Sequence, residues 1–350
     1  MILLICATND DHLRSVAGAL DRRGSAYRRF DPRDFPTSAE VTIEHSRKGA
    51  RCRRLDYRGE SLDLDAVRAV WHRPHARPAP DPEVTGDQIW WTAESSARFL
   101  SQLYASLDCL WIPERPVSPR EPFRQDDSAP PAHPLWYLTP GRLPAPSPDN
   151  KLLQLSVASH AGFTVPRTLF TNSPERFLEF YEACDGAVIS KRASDLFPMI
   201  GGRVVRSFTT AVRRRDAANC EAVRYAPVAF QENIAKRVEL RVTVVGNQVF
   251  PAEIRSQENQ RQSTDWRHIP SHAQSRFYAE HLLTVDVERR CAEVVRALGL
   301  SAGSIDLILT PDGDYVFLEV NPSGQWAYIE TMLGLPIGEA IAELLINGQA

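Results

Sequence analysis

Residues Ser304–Gly324 have the sequence SIDLILTPDGDYVFLEVNPSG. Two runs that alternate polar and apolar residues, Ser304–Thr310 and Tyr315–Val320, flank the tetrapeptide Pro311–Asp314. Such alternation is typical of a β-strand with one buried face, and a short segment of Pro, Asp and Gly favours a tight turn. The segment therefore predicts a β-hairpin that packs on one face.

The polar residues of this hairpin fall on one face of the predicted strand pair. A turn centred on the Asp-Gly dipeptide pairs Thr310 with Tyr315 and, in the same register, Asp306 with Glu319. Asn321 lies on the same face, opposite the serine that begins the hairpin. The reverse face is apolar and consists of Ile305, Leu307, Leu309, Val316, Leu318 and Val320. Because a buried face fixes the register of a strand, the pattern predicts that the two carboxylates face each other.

The facing carboxylates predict a cation site. Like charges directly opposite each other in an antiparallel pair are destabilising, and the oxygen ligands of Asp, Glu and Asn suit hard cations such as Mg²⁺. We therefore predict that Asp306, Glu319 and Asn321 bind Mg²⁺. Two alternatives remain open: a solvated hairpin face, or carboxylates that are satisfied by neighbouring arginines.

A second hairpin and several helices accompany this one in the C-terminal part of the chain. Val238–Val245 and Gln248–Arg255 flank the dipeptide Gly246-Asn247, which favours a two-residue hairpin turn. Helices are predicted from about 285 to 298 and from 337 to 346. Upstream, the pattern predicts helices over 151–161 and 174–183 and strands over 168–170, 187–191, 204–209 and 227–231.

The N-terminal part of the chain has a different organisation. Residues 1–113 alternate strand and helix patterns, which predicts an α/β domain. Eleven prolines between residues 113 and 148 exclude a regular helix or central strand, so 114–149 is predicted to be a linker or a surface excursion. The fold class is α/β (α+β), and the predicted units are 1–113, 114–149, 150–230 and 231–350.

Composition excludes several classes of protein. The 350 residues carry a formal net charge of -3, which gives no basic field for nucleic acid. The apolar run Met1–Ala7 is far shorter than the roughly 20 residues that cross a bilayer, so neither a membrane span nor a signal peptide is expected. The six cysteines are scattered without a C-x-x-C pair, which excludes a zinc knuckle or disulfide framework and favours a reducing, cytoplasmic location.

The lysines are the candidates for binding phosphate. Only four of the 41 basic residues are lysines, and Lys151 opens a predicted helix while Lys191 ends a predicted strand. Lysines act as point charges on phosphates, and glycines such as Gly201 and Gly202 let backbone amides approach anionic oxygens. Each feature alone could be a surface lysine or an ordinary turn. No P-loop and no G-x-G-x-x-G motif after the first strand is present, so a different nucleotide-binding architecture is required.

The order of these motifs resembles the ATP-grasp superfamily. The resemblance rests on VISKRAS around Lys191, FQENI at Phe230–Ile234, ELRV at Glu239–Val242, and SIDLIL with FLEVNPSG in the hairpin. It implies an ATP-grasp fold in which a pre-ATP-grasp domain precedes two antiparallel-sheet subdomains that clamp ATP. It also implies roles for individual residues: Lys151 and Lys191 on phosphates, Gln231, Glu232 and Ile234 along the adenine, Glu239 on the ribose, and Asp306, Glu319 and Asn321 on Mg²⁺.

Longer segments look more specifically like the ATP-grasp maturases of ribosomally made peptides, the microviridin-type macrocyclases of graspetides. These segments are Asn150–Asn172, Glu239–Gln257, Thr264–His268, Asn321–Trp326, and VWHRP at Val70–Pro74. The Pro-rich segment is longer than the connection that such enzymes have. We interpret Trp266 and Arg267 as part of a loop that orders over the peptide, with Arg267 meeting an acidic side chain. Alternatively, Trp266 anchors this loop to the core.

The resemblance and the residues together predict an ATP- and Mg²⁺-dependent carboxylate ligase. It would activate Asp or Glu side chains of a precursor peptide, with a leader and an acidic, hydroxyl-rich core, as acyl phosphates. Ser, Thr or Lys side chains would then close ester or amide macrocycles. Arg241 and Arg255 are predicted to clamp phosphoryl or carboxylate oxygens, although either could be a surface arginine.

Two other functions remain open. One is a ligase that adds free amino acids to a protein or peptide end, and the other is a nucleotide-binding module without turnover. The expected partners include neither nucleic acid nor membrane, and the chain could form a homodimer.

Overall fold

The computed structural model describes residues 1–47, 51–74, 76–86, 88–114, 148–191, 199–200, 203–204, 209–255 and 277–348. The predicted loop residues Trp266 and Arg267, the glycines Gly201 and Gly202, and most of the Pro-rich segment lie outside these residues. Among the described residues, no helix is long and apolar enough to cross a membrane.

The N-terminal part contains a parallel sheet of four strands and an antiparallel sheet of three. Its elements are β1 (Ile2–Ile5), α1 (Asp11–Arg22), β2 (Tyr27–Phe30), β3 (Ala39–His45), β4 (Arg51–Tyr57), β5 (Glu60–Asp63), β6 (Ala69–His72), α2 (Gln88–Ser106) and β7 (Leu110–Ile112). The parallel sheet has the order β2-β1-β6-β7, and β1 is buried along its whole length. Asp10 caps α1 by accepting a hydrogen bond from the His12 amide. The predicted α/β organisation of this part is confirmed.

The middle part forms a small antiparallel sheet covered by a helix. Its elements are α3 (Lys151–His160), β8 (Thr168–Thr171), α4 (Pro174–Ala183), β9 (Val188–Lys191), β10 (Met199–Ile200), β11 (Arg203–Val204), β12 (Thr210–Ala211), α5 (Arg214–Ala218) and β13 (Val228–Glu232). The sheet has the order β12-β9-β13-β8. Phe230 packs on Phe177 of α4, with ring centroids 4.2 Å apart. Because side chains alternate along a strand, the neighbouring Gln231 points to the opposite face.

The C-terminal part is built on a five-stranded antiparallel sheet. Its elements are β14 (Val238–Val245), β15 (Gln248–Ile254), β16 (Tyr278–Glu280), α6 (Val285–Ala297), β17 (Ala302–Leu309), β18 (Tyr315–Asn321), α7 (Ala327–Leu333) and α8 (Ile337–Asn347). The strand order is β16-β15-β14-β17-β18. Apolar residues on one face, including Val242, Leu307 and Phe317, pack with α3 and α6. The predicted unit boundary between residues 230 and 231 falls inside β13, and the division into units stays a prediction.

The register of the β17–β18 hairpin confirms the predicted site pairs and corrects the turn. Asp306 lies opposite Glu319, as predicted, but a β-bulge after Asp306 shifts the pairing by one residue toward the turn. Tyr315 therefore pairs with Leu309 rather than with Thr310. A bulge adds one residue to one strand and changes which side chains face the core. Phe317 is consequently buried on β18 together with Val316 and Val320, whereas Leu318 is only half-buried.

A shared apolar core joins the N-terminal and C-terminal parts. It contains residues of β1, α1 and β6 together with residues of β14, β15, α7 and α8. Helices α1 and α8 approach closely, because a Cβ atom added to Gly338 would lie 1.9 Å from the Oγ of Ser15. At the exposed edge of this contact, Arg22 and Arg23 both donate to the carboxylate of Glu339. The two parts are thus packed against each other by apolar and ionic contacts.

Candidate active site

The polar face of the large sheet carries two rows of candidate site residues. Arg241 of β14, Asp306 of β17 and Glu319 of β18 are successive cross-strand neighbours. The next row contains Thr243, Ser304 and Asn321 in the same strand order. These side chains alternate with the apolar residues that pack on α6, so the packing of the sheet orients them away from that core.

Arg241 and Asp306 form a buried ion pair at the centre of this face. The Nη1 atom of Arg241 donates to both carboxylate oxygens of Asp306, at 2.7 and 2.9 Å, and Asn321 Nδ2 donates to Asp306 Oδ2 at 3.1 Å. Burial disfavours the charge of Arg241, which is 5% exposed, but Asp306 raises its pKa. The buried Nε of Arg241 donates to no acceptor among the described residues. This nitrogen is therefore available to an oxygen of a bound ligand.

Two lysines from different elements act on Glu319. The Nζ of Lys151, at the start of α3, donates to Glu319 Oε2 at 2.7 Å. Burial acts to raise the pKa of Glu319, but the charges of Lys151 and Lys191, the hydrogen bond from Lys151 and the charge of Arg241 lower it to about 2. Glu319 is therefore ionised at neutral pH, and both lysines predicted to bind phosphate lie around it. We call this polar face, together with Lys151 and Lys191, the cleft.

Gln154 fixes the start of α3 against β18. Its side chain is 2% exposed, donates Nε2 to the Val320 carbonyl at 2.8 Å, and accepts the Val320 amide on Oε1 at 3.0 Å. The side-chain amide of Gln154 thus binds both the N–H and the C=O of Val320, the residue that follows Glu319. Because Gln154 and Lys151 belong to the same helix, this contact holds Lys151 beside the Glu319 carboxylate. Sequence reasoning missed this residue. Its spacing of three from Lys151 in a helix is the signal that would have placed both on one face.

Gln231 offers a buried acceptor on β13 of the small sheet. Its side chain is 4% exposed and donates Nε2 to Thr168 Oγ1 at 3.1 Å, while its Oε1 accepts no hydrogen bond from the described residues. The other predicted adenine residues differ in their surroundings: Glu232 pairs with Arg167, and Ile234 is half-buried. An unsatisfied buried acceptor is costly, so Gln231 is suited to a ligand that donates a hydrogen bond.

Glu239 pairs with a lysine that the sequence motifs did not single out. Lys236 donates to Glu239 Oε1, and both side chains are mostly buried. Glu239 precedes Arg241 by two residues on β14 and therefore shares its face of the sheet. The rarity of lysine in this chain was the available signal for Lys236.

Comparisons with known proteins identify a related family model and similar solved structures. Residues 1–116 match the family model described as the MvdD pre-ATP grasp domain. The macrocyclase MdnC from Microcystis aeruginosa MRC, solved with the precursor peptide MdnA, is 28% identical, with 99% of each chain covered and a TM-score of 0.77. The macrocyclase MdnB from the same organism is also 28% identical, with 99% of each chain covered and a TM-score of 0.68.

A third solved structure extends the comparison. The Chryseobacterium gregarium RiPP-associated ATP-grasp ligase, in complex with ADP and a leader and core peptide, is 24% identical. The match covers 100% of this chain and 97% of that one, at a TM-score of 0.83. This chain has the ATP-grasp fold. The resemblance stated from the sequence, to ATP-grasp peptide macrocyclases, is thus confirmed, although no curated protein sequence gives a significant match.

The donor set of this ATP-grasp protein fits Mg²⁺. Asp306 and Glu319 face each other, Asn321 adds an amide oxygen, and Mg²⁺ commonly takes one or two carboxylates together with substrate phosphates. Among the described residues, no group of three His, Cys, Asp or Glu side chains could hold a metal by itself. Asp306 is paired with Arg241, as the alternative of a carboxylate satisfied by a neighbouring arginine predicted, whereas Glu319 is paired with Lys151. Bound phosphates would compete for Lys151 and leave Glu319 to the metal.

The structure does not bring Arg255 beside Arg241. Arg255 follows β15 and donates to Glu253 Oε1 at 2.9 Å. Glu253 pairs with Leu240, whose side chain lies in the core on the reverse face of the sheet. A catalytic role for Arg255 in this ATP-grasp protein therefore stays a prediction. Trp266 and Arg267 lie outside the described residues, so their predicted contact with peptide also stays a prediction.

Proposed function

We propose that the chain is an ATP-dependent ligase that closes macrocycles in a ribosomal precursor peptide. The observation that carries this proposal is the convergence of Lys151 and Lys191 on Glu319, opposite Asp306, in a fold matched over 99% of its length by a peptide macrocyclase. Carboxylates for Mg²⁺ and lysines for phosphates are the groups that phosphoryl transfer requires. The partner is a precursor peptide with a leader and an acidic, hydroxyl-rich core, and the compartment is the cytoplasm.

The reaction is two successive substitutions. A carboxylate oxygen of a peptide Asp or Glu bonds to the γ-phosphorus of ATP and displaces ADP. A Ser or Thr hydroxyl, or a Lys amine, of the same peptide then bonds to the carbonyl carbon, releases inorganic phosphate and gives up its proton. Each ring therefore removes one water from the peptide.

Different residues of the cleft have different roles in this reaction. Lys151 and Lys191 bind phosphate oxygens, and Asp306, Glu319 and Asn321 would hold Mg²⁺, which would supply positive charge beside the phosphates. Arg241 binds and orients Asp306, and its Nε can donate to a phosphoryl or carboxylate oxygen. Gln231, Glu232 and Ile234 line the adenine, and Glu239 takes the ribose. Trp266 and Arg267 are proposed to contact the acidic peptide, and Arg255 to clamp a phosphoryl or carboxylate oxygen.

The test is reconstitution of the purified protein with the short peptide encoded beside its gene. With ATP and Mg²⁺, mass spectrometry should show the loss of one water per ring, together with ADP and phosphate release that depends on the peptide. Products heavier than the peptide by whole amino acids would instead identify a ligase that extends a peptide end. Nucleotide binding with no product in the presence of the peptide would indicate a binding module.

Gln231 is expected to select adenine over guanine. The exocyclic amine of adenine can donate a hydrogen bond to Oε1 of Gln231. Guanine has a carbonyl oxygen at that position, which cannot donate one. Gln231→Leu should weaken ADP binding by about 5-fold and leave the weaker GDP binding unchanged, because one hydrogen bond contributes about 1 kcal/mol. Calorimetric titration of both nucleotides measures this ratio. Thr168→Ser keeps the hydroxyl that orients the amide and should match the wild type, and an unchanged ADP to GDP ratio in Gln231→Leu would refute the role.

A further inference from the structure

The end of β6 contacts the loop that follows the predicted metal ligand Asn321. Arg73, in the VWHRP segment, is 3% exposed, and its Nη1 donates to the carbonyls of Ser323 and Gly324 at 3.0 and 3.2 Å. Its Nε donates to Asp10 Oδ2 at 3.2 Å. A single buried arginine of the N-terminal part thus binds two successive carbonyls beside the site.

His12 makes a second contact with the same loop. The Trp326 amide donates to His12 Nε2 at 3.0 Å, and the Nδ1 of His12 lies 2.6 Å from Asp10 Oδ1. Because Nε2 accepts a hydrogen bond, the proton of the neutral ring is on Nδ1, where it is donated to Asp10. The ring of His12 also packs edge-on against Trp326, with centroids 4.7 Å apart. We call Asp10, His12 and Arg73 the interdomain clamp.

The far side of the clamped loop touches the ion pair at the centre of the cleft. A Cβ atom added to Gly324 would lie 2.7 Å from Nη2 of Arg241 and 2.6 Å from Oγ of Ser304. The backbone of Gly324 is therefore packed directly on Arg241, which in turn binds Asp306. A displacement of the loop would remove the surface against which Arg241 is held.

We propose that Asp10, His12 and Arg73 are positioning residues that hold residues 322–326 in place, so that the N-terminal part of the chain completes the Mg²⁺ side of the nucleotide site. The inference rests on the proposed function for the identity of the metal and nucleotide. Beyond the proposed function, we infer that the interdomain clamp, more than 200 residues away from Asn321 in the sequence, sets the affinity for Mg²⁺ without contacting the ion.

The first test measures how ADP binding depends on Mg²⁺, in calorimetric titrations that require no turnover. Arg73→Met should raise the Mg²⁺ concentration for half-maximal ADP binding by about 10-fold, and leave ADP binding without Mg²⁺ within about twofold. Arg73→Lys keeps the charge and can donate to one of the two carbonyls. Its Mg²⁺ concentration for half-maximal ADP binding should therefore lie between those of the wild type and Arg73→Met. The matched control is Glu339→Gln, which removes the exposed contact of α8 with Arg22 and Arg23 of the same N-terminal part and should leave both values unchanged.

The second test uses the proton on His12. Burial lowers the pKa of His12 below its ordinary 6.5, Asp10 opposes this through its hydrogen bond, and the charge of Arg73 lowers the pKa further; Asp11 is the other charge acting on the ring. Protonation would place a hydrogen on Nε2 against the Trp326 amide, so the Mg²⁺ requirement of the wild type should rise as the pH falls below 6.5. His12→Gln has an amide oxygen near the Nε2 position and does not titrate, so its Mg²⁺ requirement should lack this rise.

The outcomes separate the inference from the proposed function. If the wild type binds ADP without any dependence on Mg²⁺, the proposed function fails. If the wild type shows the dependence but folded Arg73→Met matches it, or if Glu339→Gln is impaired equally, the inference is overturned. If thermal unfolding shows that Arg73→Met does not fold, the other two variants test the inference. The inference is overturned if Arg73→Lys has the Mg²⁺ requirement of the wild type and His12→Gln has its pH profile.

Discussion

Asp306→Asn is expected to reduce the rate of peptide macrocyclisation by about 1,000-fold, since charge stabilisation at a transferring group is commonly worth that much. Asparagine keeps the size of the side chain but removes a proposed carboxylate ligand of Mg²⁺. It also leaves Arg241, which is buried, without the counterion that binds it through both carboxylate oxygens. The rate is measured by mass spectrometry of the peptide, and the Mg²⁺ dependence of ADP binding by calorimetry.

The matched control for this substitution is Asp312→Asn. Asp312 lies in the exposed turn of the same hairpin and should tolerate the change in both assays. Thermal unfolding of both variants separates the loss of chemistry from the loss of fold, because a buried arginine without a partner also destabilises the protein. If the Asp306→Asn variant cyclises the peptide within about threefold of the wild-type rate, Asp306 has no part in the reaction.

The face of the hairpin could be predicted from the sequence because the period of a strand is two residues. Once Ile305 and Leu307 are buried, Asp306 must face the other way, and the short turn leaves Glu319 as its partner. The same reasoning could not predict the bulge that follows Asp306. The alternation predicted Leu318 in the core, and the burial of Phe317 in its place depends on its packing with Phe163 of a segment far away in sequence.

Contacts between distant segments were the other features that the sequence alone could not supply. The resemblance to ATP-grasp proteins named Lys151 and Glu319 as site residues, but their hydrogen bond spans 168 positions and depends on Gln154 binding the backbone of β18. Arg73 and Gly324 likewise lie in two separate motifs, VWHRP and FLEVNPSG, and nothing in the sequence indicates that these motifs are in contact. Only the packing of the N-terminal part on the large sheet brings them together. Local pattern therefore predicted which face each residue occupies, whereas tertiary packing determined its partner.

Gly324→Ala is expected to impair the site and the fold together. The added Cβ would lie 2.6 Å from the Cβ of Ser304 and 2.7 Å from Nη2 of Arg241, both of which are buried. Overpacking of this kind costs about 1–3 kcal/mol of stability. Displacement of Arg241 should also slow macrocyclisation by about 100-fold, because a shift of about 1 Å in a group that positions the reacting centre can cost that much. Thermal unfolding and the rate of water loss from the peptide measure the two effects.

A second substitution separates the two neighbours of Gly324. Ser304→Gly combined with Gly324→Ala removes the clash with Ser304 but leaves the clash with Arg241, so the double variant should regain stability while its rate stays low. Gly18→Ala is the control for adding a methyl group, because its Cβ would meet only the end of the Arg22 side chain at 3.4 Å, and alanine favours the helix there. A Gly324→Ala variant with wild-type rate and stability would show that the loop can move away without disturbing Arg241, and the coupling between this loop and the ion pair would then be wrong.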